Sequence, residues 1–99
     1  ALRERFLALN PTGYANTIRA MLDLDFPTER LPEITAPTLV LVGELDPSRE
    51  AAHLTHTKIP GSEYVVIPAA GHVSNLAKPD EFNSCVLEFL QKIEATARV

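Results

Sequence analysis

A single cysteine, no run of lysine or arginine, no apolar stretch near bilayer length and no Gly-x-Ser-x-Gly are the scarcities of this 99-residue chain, and each removes a class of protein. Cys85 alone cannot build an internal disulfide framework, which fits a reducing compartment such as the cytoplasm. Nine basic residues, scattered singly, stand against 13 acidic ones, for a net charge of -4 and a pI near 5.3. The basic stripe that nucleic acid requires is missing, and an anionic membrane surface is an equally poor partner. The apolar runs fall far short of the ~20 residues that span a bilayer. Without Gly-x-Ser-x-Gly there is no sharp strand-to-helix turn to present a serine hydroxyl as nucleophile. The chain starts at Ala1 without a Met, so the lack of a leader says little about targeting.

What is present is enough for one domain: 45% of the residues are hydrophobic, sufficient for a core but leaving no room for a second. Leu2, Phe6 and Leu9 fall at i, i+4 and i+7, which predicts a short amphipathic helix closed by Asn10-Pro11. A second helix is expected to follow, with Tyr14, Ile18, Met21 and Leu22 on one face, Thr12 as N-cap and Pro27 beyond its end. Residues 25–37 hold Pro27, Pro32 and Pro37 among acidic residues and read as a connector with little regular structure, dividing 1–24 from 38–99. The run Leu39 to Val42 is unbroken and apolar, as for a strand covered on both faces. Ser48 is placed to cap a helix from about 49 to 58, Pro60-Gly61 breaks it, and Tyr64–Ile67 gives a second strand. Strand, helix and strand at this spacing make a βαβ unit. Pro79 suits a first turn, Asp80 and Glu81 complement the positive helix end, and Phe82, Val86, Phe89 and Ile93 form the stripe of a last helix.

Both strands empty into a residue able to do chemistry: Asp46 after Gly43-Glu44-Leu45, and His72 after Pro68-Ala69-Ala70-Gly71. In an open parallel sheet the loops leaving the carboxyl ends of strands gather at one edge, where ligands bind. A carboxylate that accepts from imidazole Nδ1–H fixes the tautomer and leaves Nε2 to take a proton. Gly71 is expected to let the backbone turn tightly before the histidine. Taken singly, each has a plainer reading, the Asp before Pro47 as an Asx-type cap and the His as a surface residue. As a pair, Asp46 and His72 supply two thirds of a hydrolytic triad whose nucleophile is absent from this chain. Glu44, in the same turn as Asp46, reads as a solvated neighbour.

Pro37-Thr38-Leu39-Val40-Leu41-Val42-Gly43-Glu44-Leu45-Asp46-Pro47 and Ala70-Gly71-His72 resemble the C-terminal end of α/β-hydrolases, over the passage Ile34 to Ile93. Gly71-His72-Val73-Ser74-Asn75-Leu76, followed by Lys78-Pro79-Asp80-Glu81-Phe82-Asn83, is similar to 3-oxoadipate enol-lactonases. The resemblance implies an α/β fold class: a βαβ unit with flanking helices, forming the C-terminal portion of a hydrolase fold and lacking its first six strands, its nucleophile elbow and its oxyanion hole. It implies Asp46 as triad acid and His72 as base, a small carboxylic ester or lactone as substrate, and no cofactor. Residues 1–24 would be the tail of the cap and an entering helix. Such a piece is expected to be inert alone, and strand 38–43, one neighbour short, is expected to drive self-association. Two rival readings keep the fold: a small-molecule-binding module without catalysis, and hydrolysis through an aspartate nucleophile.

The remaining candidates are weaker. His53 and His56 lie one helical turn apart, but no carboxylate or Cys completes a metal site, and a solvated helix face is the default. Cys85 beside the last stripe reads as a small buried hydrophobe. Ser74 shares the loop of His72 and cannot be its nucleophile. Val73 and Leu76 are candidates to line an acyl pocket, with plain packing as the alternative.

Overall fold

The computed structural model describes residues 1–97, so the last two residues of the expected 38–99 part lie outside the described residues. Two short helices open the chain, α1 at Leu2–Leu7 and α2 at Pro11–Leu22. Asn10, not Thr12, caps α2: its side-chain oxygen accepts from the N–H groups of Thr12 at 2.9 Å and Gly13 at 3.2 Å. Pro11 explains the shift, because its fixed φ and missing N–H suit the first helical position and so place the cap at Asn10, two residues before the expected one. The proline-rich stretch is more ordered than expected, since Thr28–Glu33 winds into a 3₁₀ helix in which Arg30 pairs with Glu33 at 2.8 Å. Short 3₁₀ turns tolerate a proline that a longer α-helix would not.

Strand β1, Leu39–Gly43, and strand β2, Glu63–Ile67, pair in parallel with Leu39 opposite Glu63 and Gly43 opposite Ile67. Helix α3, Arg49–Lys58, connects them and packs on β1. Gly61, at φ 73°, makes the turn that brings the chain back into β2. A short helix α4, Ser74–Ala77, leads into the long α5, Pro79–Ala97. Along α5 the residues Phe82, Cys85, Val86, Phe89 and Ile93 are half-buried, a period that turns one face to β2. Lys92 Nζ reaches Glu63 Oε1 at 2.9 Å and ties that helix to the start of the strand.

The core is small and sits in the sheet and its crossover: Val42, Ile59, Ile67 and Ala70. Many of the remaining large apolar side chains are exposed, with Leu2, Phe6, Ile18, Met21 and Leu22 along the first two helices, Phe26 just beyond them, and Leu87 and Leu90 on α5. The radius of gyration is 16.7 Å, against about 13 Å for a compact chain of this length. The apolar content read as sufficient for a core therefore goes largely into uncovered faces.

The glycine that the sheet edge requires is Gly43, not Gly71. A Cβ on Gly43 would overlap the carbonyl oxygens of both Ala70 and Gly71, whereas a Cβ on Gly71 meets nothing within 4 Å. The end of β1 thus lies flat against the loop that follows β2, a closeness that only a missing side chain permits. Gly43→Ala is expected to lower the unfolding free energy by ~1–3 kcal/mol, the usual cost of forcing atoms into filled space. Gly71→Ala should stay within ~0.5 kcal/mol of the parent in the same denaturant titration. Equal losses at the two positions would contradict this assignment.

Candidate functional site at the carboxyl edge of the sheet

Because β1 and β2 are parallel and in register at Gly43 and Ile67, the loops that leave them emerge side by side. Two backbone bonds continue the pairing beyond the strands: Glu44 N–H donates to the Ile67 carbonyl and Leu45 N–H to the Ala70 carbonyl, both at 2.9 Å. The chain then turns, with Asp46 N–H bonded to the Gly43 carbonyl at 3.1 Å, and points the Asp46 side chain inward.

Asp46 and His72, 26 residues apart, meet here. His72 Nδ1 lies 3.0 Å from Asp46 Oδ2. The other carboxylate oxygen, Oδ1, accepts from the Ser48 N–H at 2.8 Å and the Ser48 hydroxyl at 2.7 Å. Both plain and chemical readings of this aspartate are therefore realised at once, one oxygen forming the Asx-type turn and the other holding the imidazole. Ser48 stands at the N-terminus of α3 as expected, but its hydroxyl is spent on Asp46 and not on capping the helix. A serine two residues after an acid in a turn was the available signal for this partnership.

The Ser48 N–H, then the Ser48 hydroxyl, and more weakly His72 hold the Asp46 carboxyl below its ordinary value of 3.8, while burial opposes them. The acid is thus ionised at neutral pH and can only accept, so the proton between the two residues resides on His72 Nδ1. In the neutral imidazole, Nε2 then carries the lone pair. Its surroundings differ sharply from those of the acid: the His72 side chain is 79% exposed and that of Asp46 only 6%. A sheltered, fixed charge orients a base that reaches outward, an arrangement able to take a proton from a hydroxyl and to stabilise the resulting imidazolium.

The other candidates fall out differently. Val73 and Leu76 lie beside His72 on the surface, 47% and 76% exposed. Ser74 is buried at the start of α4. Cys85 is half-buried on the packed side of α5. His53 is exposed, as expected of a solvated face, and His56 is half-buried; His56 stacks on Tyr64 with ring centroids 5.1 Å apart, and His53 meets the same ring edge-on at 5.3 Å. The Ser62 hydroxyl donates to the His56 carbonyl at 2.9 Å, so His56 Nδ1, 2.7 Å from the Ser62 hydroxyl oxygen, donates to that hydroxyl. Among the described residues no group of three or more His, Cys, Asp or Glu is placed to hold a metal ion, and no helix is long and apolar enough to cross a membrane.

No protein-family model matches the chain. Individual proteins do. It is 33% identical over 95 residues to the putative 2-succinyl-6-hydroxy-2,4-cyclohexadiene-1-carboxylate synthase of Bacillus subtilis, covering 93% of this chain and 35% of that protein. It is 32% identical over 84 residues to 3-oxoadipate enol-lactonase 1 of Acinetobacter baylyi, covering 83% of this chain and 31% of the lactonase. Among solved structures it superposes on a serine hydrolase involved in carbazole degradation with a TM-score of 0.67 at 30% identity, over 75% of this chain and 30% of that one. These relatives are α/β-hydrolases, and the chain fits a fragment of their fold. It spans about a third of the length of these α/β-hydrolases, and its strand, helix and strand fit the C-terminal portion of their fold.

The depressed value of Asp46 has a measurable consequence. A carboxyl held below its ordinary value contributes stability that is complete above 3.8 and is lost as pH falls through the folded-state value. A carbon-13 NMR titration of the Asp46 carboxyl should therefore show a midpoint below 3.8, moving upward in Ser48→Ala. Asp46→Asn should remove the corresponding part of the acid-unfolding slope. A midpoint at or above the ordinary value would refute the bonding described.

Proposed function

We propose that this chain supplies the acid and the base of an α/β-hydrolase that cleaves a small carboxylic ester or lactone, Asp46 as triad acid and His72 as triad base, with the nucleophile contributed by sequence outside these 99 residues. The observation that carries the reading is the 3.0 Å contact between Asp46 Oδ2 and His72 Nδ1 at the carboxyl edge of a parallel pair. His72 Nε2 accepts the nucleophile's proton as its oxygen attacks the acyl carbon, the Asp46 carboxylate stabilises the imidazolium, and the same proton passes to the departing alkoxide. Water, deprotonated by the same nitrogen, then attacks the acyl carbon, and the proton passes from the imidazolium to the nucleophile's oxygen as the acid departs. The order acid then histidine matches that of the family's triad. The enol-lactonase and the serine hydrolase among the relatives support an ester-like bond as the target.

On this reading residues 1–24 belong to the cap and an entering helix, 25–37 to a connector and 38–99 to the hydrolase body. The exposed apolar faces of α1 and α2 accord with helices made to be covered. Val73 and Leu76, flanking His72, border the acyl site, and the half-buried Cys85 accords with a cytoplasmic setting. The 99 residues alone are inert, because nucleophile and oxyanion donors lie elsewhere.

In the full-length protein Asp46→Asn should leave the fold intact and lower kcat by at least ~10²-fold, the direction set by presenting the wrong imidazole tautomer. His72→Ala should be as severe, and the double variant little worse than the worse single one, because members of one catalytic unit are not additive. Full activity in Asp46→Asn, or saturable turnover of p-nitrophenyl acetate by the 99 residues alone, would sink the assignment.

Strand β1 pairs with β2 alone among the described residues. An apolar edge of this kind recruits another strand, and for the 99 residues alone we propose a second copy as the recruit. Sedimentation of that polypeptide should show a dimer that Val40→Lys weakens. A strict monomer at high concentration is the contrary result.

A further inference from the structure

We propose that Glu44 is a positioning residue for His72, its carboxylate holding the turn from which the histidine loop departs. The inference rests on the reading of His72 as the base. Its starting point is Ala69, the one non-glycine residue with a positive φ among the described residues, at 58°. An L-residue is sterically disfavoured there and stays only where its neighbours fix it. Glu44 provides the fixing atom: the Ala69 N–H donates to Glu44 Oε1 at 3.1 Å, across 25 residues of sequence. On either side of Ala69, the Ile67 and Ala70 carbonyls accept from Glu44 N–H and Leu45 N–H. The turn is thus bracketed at both ends by the acid loop's backbone and held in the middle by that loop's side chain.

Three residues beyond Ala69 stands His72. Two carboxylates of one loop consequently grip the histidine loop at two points, Glu44 at its root and Asp46 at the imidazole Nδ1. The grip at the ring sets the tautomer; the grip at the root sets where the ring is when Nε2 meets its partner. Because Ala69 occupies a strained conformation, loss of the Glu44 acceptor lets the root relax and carries the ring away from Asp46. Displacements of about an ångström in such groups are costly to rate, up to ~10²-fold. Glu44 is therefore more than the solvated neighbour its place in the sequence suggested. What the Ala69 N–H needs is an acceptor oxygen, not a charge, so an amide in place of the carboxylate preserves the device.

The test uses the full-length protein, p-nitrophenyl acetate hydrolysis, and nitrogen-15 NMR of the His72 ring above its titration. Glu44→Ala should lower kcat about tenfold with KM within about twofold, and should reduce the fraction of His72 protonated on Nδ1. Glu44→Gln should restore both readouts to within about twofold of the parent, a rescue that a general loss of stability would not show. Unchanged kcat and tautomer in Glu44→Ala, with His72→Ala inactive, would overturn the role of Glu44 and leave the catalytic pair standing. Glu44→Gln as impaired as Glu44→Ala would overturn it too. An active His72→Ala would overturn the catalytic reading and this inference together. Should Glu44→Ala not fold, hydrogen exchange of the Ala69 amide in the parent protein decides: protection of at least ~10-fold supports the bond, and exchange at the free-peptide rate refutes it.

Discussion

The close approach of Gly43 to the Ala70 and Gly71 carbonyls is the constraint on which the site depends. Parallel pairing alone would bring two loops to the same edge but would not set their spacing. With no side chain at Gly43, the backbone after β1 lies against the loop after β2, and the bonds from Glu44 and Leu45 extend the pairing past the last strand residues. Asp46 then turns inward at a point fixed on both sides. An acid and a base 26 residues apart meet at 3.0 Å because the chain between them closes through a buried glycine and not through a flexible contact.

Within that frame the two members of the pair carry opposite demands. In the role proposed above, the acid must remain charged, fixed and out of competition with water, whereas its histidine must reach the substrate. Ser48 meets the first demand by giving two donors to one Asp46 oxygen, which stabilises the anion and leaves the second oxygen for imidazole. The exposed His72 side chain meets the other. A mobile carboxylate would satisfy neither, since rotation about its side-chain bonds would trade the histidine for solvent. The short span from Asp46 to Ser48 makes one local turn serve both chain geometry and electrostatics.

The elements with a strong period were legible in sequence. The α5 stripe, the β1 run and the Pro60-Gly61 break each carry their own local signal, and the Asp46 and His72 pairing followed from two strands ending in the same kind of loop. What could not be read was which atom each loop residue spends on which partner. Asn10 displaced Thr12 as the cap because Pro11 takes the first helical position. Ser48 turned its hydroxyl back to Asp46, Glu44 reached across 25 residues to Ala69, and the needed glycine was Gly43 and not Gly71. Glu44 and Gly43 act through contacts between segments distant in sequence, and Asn10 and Ser48 through a local choice of partner; neither leaves a periodic trace.

The exposed apolar faces follow from the same physics that makes the site. A sheet of two strands can shelter only what lies between it and its two covering helices, and Ile67 is the sole large side chain among the described residues that is fully buried. Helix α3 covers β1 and α5 covers β2, but α1 and α2 expose Phe6, Ile18, Met21 and Leu22. An amphipathic helix of 12 residues gains most of its stability from the surface it packs on and little from intrinsic propensity. The pattern of α2 therefore specifies a partner surface as much as it specifies a helix. The sheet edge is in the same position under the function proposed above, in which His72 acts on a group that these 99 residues do not contain. The uncovered helix faces and the base proposed at His72 are thus two independent observations in accord with a larger hydrolase fold.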